Sequence, residues 1–203
     1  MLELGKWKLA FYDYFMKFTK KAKINKARAE LVTKAAGHVL EIGSGTGINF
    51  PLYNESVNKV DAIEPDERMI DKSRSRQNTA VVPIHLHQES AEYLPFPDKM
   101  FDTVISTLVF CTISDPIIAL KEIQRVAKPG AMIYFLEHVK MPQPILAKTQ
   151  DLMTPFWKKI AGGCHLNRDT LLQIETSGLR IKKVTRFYKG FMIQVSCANG
   201  QNS

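Results

Sequence analysis

The stretch Val39-Leu40-Glu41-Ile42-Gly43-Ser44-Gly45-Thr46-Gly47 decides the fold, because apolar strand-forming residues run directly into three alternating glycines. Glycine lets a backbone turn tightly and approach a ligand without a Cβ atom in the way. The stretch therefore predicts a buried strand followed by a loop that binds a nucleotide-like cofactor.

A second landmark lies further along the chain, where residues 59–64 are predicted to form another strand. This strand ends in a carboxylate, Glu64, which follows Gly45 by 19 residues. An acidic residue at this distance can bind the two hydroxyls of a ribose. Glu64 is therefore a candidate cofactor ligand.

Strands and helices alternate five times around these landmarks. Strands are predicted at residues 38–43, 59–64, 81–86, 101–107 and 131–137, and helices at 27–36, 67–76 and 115–127, with a short helix beginning at residue 48. Such alternation predicts an α/β protein with a parallel sheet and helices on both faces. Further helices are predicted within 141–168 and 167–178, and residues 181–188 and 191–197 predict a closing antiparallel hairpin.

The composition suits one domain. At 203 residues and 45% apolar content, the chain can bury a full core. We expect 1–36 to form a helical cap, 37–138 the cofactor-binding core, and 139–203 a cap segment with the hairpin. No window approaches the roughly 18 consecutive apolar residues of a membrane span. The three cysteines are too few and scattered for a disulfide framework, so we expect buried thiols and a cytoplasmic location.

Basic residues concentrate at the two ends of the chain. Residues 1–28 carry eight Lys or Arg against two acids, and residues 179–203 carry five against none. These ends could contact an anionic membrane or nucleic acid, or could simply be solvated faces. Residues 4–18 place aromatic side chains at helical spacing, so this segment could lie on a bilayer, close over the cofactor, or pack on the core.

The spacing of the glycines distinguishes between cofactors. A dinucleotide-binding loop would have its third glycine at position 48, which is Ile here. The Gly-x-Gly-x-Gly spacing, with Glu41 two residues before it, resembles motif I of class I S-adenosylmethionine-dependent methyltransferases. Residues 94–98 with 101–102, and residues 125–130, resemble later landmarks of that family. The resemblance spans about residues 37–138 and implies a Rossmann-like, seven-stranded, mostly parallel sheet.

The same resemblance implies the cofactor and its ligands. The cofactor would be S-adenosylmethionine, with S-adenosylhomocysteine as product and no metal. Members commonly bind the adenine amino group with an Asp where this chain has Ser90, so that contact is assigned to Ser90 or the backbone of Ala91. The cofactor-binding residues so predicted are Glu41, Gly43, Ser44, Gly45, Gly47, Asn49, Glu64, Pro65, Ser90, Ala91 and Thr107.

Two resemblances within the superfamily suggest different acceptors. Residues 106–112, 134–139 and 163–168 resemble the methyltransferase-like alkyl-thiol S-methyltransferases. Residues 11–13 and 47–53 resemble bacterial phosphatidylethanolamine N-methyltransferases, whose first helix contacts anionic lipid. We therefore expect methyl transfer to a small, apolar acceptor, a thiol or a lipid-like amine. The alternatives are a phospholipid N-methyltransferase at the membrane surface, or an RNA- or membrane-binding module that keeps the fold without turnover. The end of the fourth strand lacks the Asn/Asp-Pro-Pro-Tyr/Phe motif of base N-methyltransferases, which disfavours nucleic acid.

A thiol acceptor must lose its proton before it can attack, because its free pKa is about 8.5. His138 and His165 are the candidate bases, with Glu137 as a residue that could orient one of them. The alternative is that both histidines make structural hydrogen bonds only. The oligomeric state is not predicted.

Overall fold

A seven-stranded sheet organises the computed structural model, which describes residues 23–200. The strand order is β3-β2-β1-β4-β5-β7-β6. Each of the strands β1 to β5 is parallel to the others of this set that it pairs with. Strand β7 is antiparallel to both β5 and β6. The strands are β1 (Gly37–Ile42), β2 (Val57–Ile63), β3 (Ile84–His87), β4 (Phe101–Thr107), β5 (Ala127–His138), β6 (Arg180–Phe187) and β7 (Met192–Ala198). The predicted mostly parallel sheet with a C-terminal antiparallel hairpin is confirmed.

Five α-helices accompany the strands within this range, the first of them before β1 and the others between strands. They are α1 (Lys23–Val32), α2 (Glu67–Gln77), α3 (Pro116–Val126), α4 (Pro144–Ile160) and α5 (Thr170–Thr176). The carboxylates of Asp66, Asp115 and Asp169 each accept a backbone N–H from the first turn that follows. Such caps satisfy amides that a helix leaves without partners, which explains why three helices begin where they do.

The sheet is buried on both faces because consecutive strand residues point in opposite directions. Along β1, Val39 packs in a cluster that includes Leu31 of α1, whereas Leu40 packs in a second cluster that includes Leu120 of α3. Helices thus cover both faces of the sheet. Because side chains on both faces of β1 are buried, the strand needs an almost continuous run of apolar residues, as its sequence shows.

Several predicted elements differ in their bounds; the first helix, for example, spans Lys23–Val32 rather than residues 27–36. The third strand begins at Ile84 rather than at residue 81, and Val81 is exposed. The fifth begins at Ala127 rather than 131, since Ala127 pairs with Phe101 before an irregularity in the register. The short helix after the glycine loop is only a 3-10 turn, Phe50–Leu52, which ends at an extended Tyr53.

Two predictions fall partly or wholly outside the described residues. The aromatic segment 4–18 lies outside them, as does most of the basic stretch 1–28. Arg28 is described, and it is buried rather than on a basic surface. Within residues 23–200, no helix has both the length and the apolarity needed to cross a bilayer.

Candidate active site

A cavity of about 650 Å³ lies at the carboxyl ends of the parallel strands, where α/β sheets bind their ligands. The glycine loop and Glu64 line one part of it. Another part is lined by His138, at the end of β5, and by Trp157 at the end of α4. The wall is mostly apolar, with few polar groups directed at the space, as expected of a small-molecule site.

The glycines are required by the geometry of this loop. Gly43 has φ +61°, and a Cβ there would lie 2.5 Å from the Val109 side chain. Gly47 has φ +73°, and a Cβ would lie 2.6 Å from the ring of Phe50. Backbone strain and steric overlap both exclude larger residues, so the loop can keep this shape only with glycine.

Glu64 ties the end of β2 to the glycine loop. Its Oε2 accepts the backbone N–H of Gly45 at 3.0 Å, and its Oε1 accepts that of Asp66 at 3.0 Å. Burial raises the pKa of this carboxyl, although the two hydrogen bonds oppose the rise. Each carboxylate oxygen has a further lone pair and Glu64 lines the cavity, so the residue can accept hydrogen bonds from a ribose diol.

Glu41 lies in a buried polar network behind the loop. Its carboxylate accepts the hydroxyl of Tyr53 at 2.7 Å and the amide of Asn49 at 3.0 Å. Burial raises the pKa of Glu41 to about 7. Arg28 donates to Asn49 at 2.8 Å and to Thr107 at 2.7 Å, so α1 is joined to the loop after β1 and to the end of β4.

A second, much smaller cavity of about 10 Å³ adjoins this network. Ser44, Asn49 and Thr107 line it, together with Arg28 and Gly43. The Ser44 hydroxyl is buried and has no hydrogen-bond partner among residues 23–200. A buried polar atom of this kind needs a partner such as a water or a ligand group, and Gly43 lines both cavities.

The predicted cofactor residues therefore fall into three groups. Gly43, Gly45, Glu64, Pro65, Ser90 and Ala91 line the large cavity. Ser44, Asn49 and Thr107 line the small one, while Glu41 supports Asn49 from behind and Gly47 packs on Phe50. The Ser90 hydroxyl donates to Glu92. The individual contacts with a cofactor stay predictions.

Two thiols and a histidine meet in the cavity wall. His138 Nε2 lies 3.1 Å from the Cys164 sulfur, and its ring stacks on Phe191. The Cys111 thiol donates to the Leu108 carbonyl at 3.9 Å, and its interaction with the Cys164 thiol lowers the pKa of Cys164 and raises that of Cys111. All three cysteines are free and buried, as predicted. Two of them, Cys111 and Cys164, line the cavity together with His138.

The other two candidate catalytic residues are placed differently. His165 does not line the cavity; its backbone N–H donates to the Cys111 carbonyl, and burial lowers the pKa of its ring. Glu137 does not orient a histidine, because neighbouring strand residues face opposite ways. Its buried carboxylate instead accepts the Ser106 hydroxyl and the Val109 N–H, both at 3.0 Å.

Comparison with known proteins agrees with this architecture. Residues 40–135 match the family described as a methyltransferase domain. A phosphatidylethanolamine N-methyltransferase from Cereibacter sphaeroides is 30% identical over 150 residues, covering 72% of both chains. The chain belongs to the class I S-adenosylmethionine-dependent methyltransferase family.

Thiol S-methyltransferases are also relatives of this methyltransferase. The TMT1B enzymes of Rattus norvegicus and Homo sapiens are 36% and 34% identical over 141 and 158 residues, which are 68% and 72% of this chain. The chain spans 57% and 62% of their lengths.

Solved structures share the fold across nearly the whole chain. A methyltransferase from Thermotoga maritima superposes with a TM-score of 0.70 at 18% identity, covering 98% of this chain and all of the other. One from Aquifex aeolicus gives 0.62 at 23% identity over 87% and 89% of the two chains.

The cavity fits the cofactor that this family implies. Glu64 suits the ribose hydroxyls, and apolar groups such as Ile63, Met69 and Ala91 offer surfaces for a flat base. When bound, S-adenosylmethionine supplies a methyl group activated by a sulfonium.

Two residues of the buried network behind the glycine loop were not predicted from the sequence. Arg28 looks like one more of the basic residues near the N-terminus, and Tyr53 looks like an ordinary core aromatic.

Proposed function

We propose that this methyltransferase transfers the methyl group to the sulfur of a small, apolar thiol. The observation that carries the proposal is the position of Cys111, His138 and Cys164 in the wall of the cavity that the glycine loop and Glu64 also line. One cavity can therefore hold the cofactor and an acceptor sulfur near polarisable, proton-exchanging groups. The 34–36% identity to thiol S-methyltransferases supports the same acceptor.

The acceptor end of the cavity favours an apolar molecule. Its wall includes Leu108, Trp157, Leu166 and Phe191, which present hydrocarbon rather than charge. Burying apolar surface contributes about 25 cal/mol per Å², so an alkyl thiol gains more here than a polar one. Specificity would thus arise from the chain that carries the sulfur.

The protein's own contribution would be alignment and the removal of a proton. Holding two reactants in line can supply about 7–11 kcal/mol of barrier reduction. His138 and Cys164, at 3.1 Å from each other, form a pair that can accept a proton from an acceptor thiol. Trp157 and Phe191 in the wall would keep water away from the sulfonium.

A second candidate acceptor is the amine of a phospholipid. Helix α4 presents an apolar outer face beside the cavity, where Ile145, Leu152 and Phe156 are 81%, 82% and 68% exposed. Exposed apolar surface of this kind is typical of a site that contacts protein or lipid. The 30% identity to a phosphatidylethanolamine N-methyltransferase supports this alternative.

The test offers both acceptors to the same enzyme. Purified protein is incubated with methyl-labelled S-adenosylmethionine, a short alkyl thiol and phosphatidylethanolamine vesicles, and the label is measured in the thioether and lipid fractions. We expect most of the label in the thioether. Label mainly in the lipid would overturn the thiol assignment in favour of the amine, and label in neither would overturn both.

A further inference from the structure

We propose that Cys111, His138 and Cys164 form a binding site for one zinc ion in the wall of the acceptor cavity, with its fourth position open to the acceptor. The use of this ion in thiol methylation rests on the proposed function, whereas the site itself does not. The sequence analysis expected no metal, so the proposed site departs from that expectation.

The geometry of the three side chains meets the requirement of such a site. One sulfur or nitrogen atom from each residue lies within 4.8 Å of the other two, and all three residues are buried. Ligand atoms on a tetrahedral zinc lie about 3.5–3.8 Å apart, as follows from Zn–S and Zn–N bonds of about 2.3 and 2.0 Å. Shifts on the order of 1 Å or less would close the cluster around an ion.

Contacts between three segments hold the ligands together. Arg168 donates to the carbonyls of Phe110 and Ile113, on either side of Cys111. The backbone N–H of His165, next to Cys164, donates to the Cys111 carbonyl at 2.9 Å. Lys140, two residues after His138, donates its backbone N–H to the Arg168 carbonyl at 3.0 Å. The chain segments that carry the two thiols and the histidine are thus joined to one another by hydrogen bonds.

The donor set selects the kind of ion. Two thiolates and an imidazole suit zinc and soft transition metals, whereas magnesium and calcium require oxygen ligands. Two sulfurs and one nitrogen with an open fourth position is a set found in catalytic zinc sites. Two thiolates neutralise the charge of Zn²⁺, which lets the ion occupy a buried position.

The open position gives the ion a chemical role. With zinc bound, His138 and Cys164 hold the ion instead of accepting the proton of the acceptor. An acceptor R–SH at the open position therefore loses its proton to solvent, because coordination deprotonates a thiol. A lone pair of the bound sulfur then forms the bond to the methyl carbon while the bond from that carbon to the sulfonium breaks. The breaking bond's electrons return to the sulfonium sulfur, leaving S-adenosylhomocysteine and a neutral thioether. The oxidation state of the zinc does not change.

Metal content tests the site independently of activity. The full-length protein is produced in zinc-replete medium, purified without chelators and analysed by inductively coupled plasma mass spectrometry. We expect about one zinc per chain, falling to less than about a tenth in Cys111→Ser and in Cys164→Ser. Cys197→Ser is the matched control, since Cys197 is also a free, buried cysteine but lies in β7 and does not line the cavity. It should keep the wild-type content.

A second measurement does not depend on how the variants fold. Zinc-free wild-type protein is titrated with Co²⁺, and the thiolate charge-transfer and tetrahedral d–d bands are recorded. We expect both bands to saturate at about one equivalent. Wild-type protein that holds less than about a tenth of a zinc and shows neither band would overturn the site, as would a Cys111→Ser protein with full zinc content.

The pH dependence of methyl transfer distinguishes the proposed role of the zinc ion from the proposed methylation of thiols. A free thiol of pKa about 8.5 is only about 3% thiolate at pH 7, so zinc removal should slow transfer by up to about 30-fold there and by less as the pH rises. Thiol transfer at the wild-type rate without zinc would overturn the role of the ion and leave the proposed function standing. A zinc-loaded protein inactive on thiols at every pH would overturn the proposed function and the role of the ion, but not the metal site.

Discussion

Replacing Gly43 by Ala should destabilise the protein through two separate effects. A side chain at φ +61° costs about 1–2 kcal/mol in backbone strain. The added Cβ would also lie 2.5 Å from the side chain of Val109, and overpacking of this kind typically costs about 1–3 kcal/mol. The sum is a loss of about 2–5 kcal/mol in the free energy of unfolding.

Gly130→Ala is the matched control for the first effect. Gly130 also has a positive φ, +78°, but a Cβ there would meet no atom within 4 Å. The Gly43 variant should therefore lose about 1–3 kcal/mol more than the control in urea unfolding. For a chain of this size the extra loss corresponds to a melting temperature lower by roughly 2–12 °C. Equal losses in the two variants would refute the contact with Val109 as the reason for glycine at position 43.

Two further predictions concern the carboxylates of Glu64 and Glu137. Glu64→Ala should weaken S-adenosylmethionine binding by about 10-fold or more, because hydrogen bonds to a charged group contribute about 1.5–3 kcal/mol. Glu64→Gln should weaken binding less. Calorimetric titration would measure both affinities, and unchanged affinity in both variants would remove Glu64 from the cofactor site. Burial raises the pKa of Glu137 from 4.5 to about 7, so in the folded protein this carboxyl keeps its proton at pH values where the unfolded chain has lost it. Its contribution to stability is fully present below about pH 4.5 and is lost as the pH rises through 7. Glu137→Gln should reduce by about 3 kcal/mol the decrease in the free energy of unfolding between pH 4.5 and 7.5. Urea unfolding at pH 4.5, 6 and 7.5 would measure this decrease. The same pH dependence in the variant and the wild type would contradict a raised pKa.

The elements that the sequence predicted well are those specified by local patterns. The glycine loop, the strand before it and Glu64 depend on residue types at fixed spacing, and Asp115 and Asp169 mark the starts of their helices. Both the sheet and the position of Glu64 at its carboxyl edge followed from these signals. The bounds of β5 did not, because they depend on the pairing of Ala127 with Phe101.

The contacts that the sequence could not reveal are those made across the fold. Cys164 and His138 are 26 residues apart, and Cys111 is 27 residues before His138, so no short motif connects them. Their proximity depends on Arg168 joining the turn after α4 to the loop after β4. The charge of Arg28 likewise suggested a surface position, whereas its hydrogen bonds to Asn49 and Thr107 explain its burial. Long-range contacts of this kind are set by topology rather than by local propensity.

The most direct test of thiol methylation is a single turnover of the enzyme with S-adenosylmethionine and an alkyl thiol. Rapid quenching followed by mass spectrometry would quantify the methyl thioether and S-adenosylhomocysteine in the same sample. We predict that the two products form together in equal amounts and that neither forms without enzyme. S-adenosylhomocysteine that accumulates without thioether, or the absence of both products, would contradict the assignment of this cavity to thiol methylation.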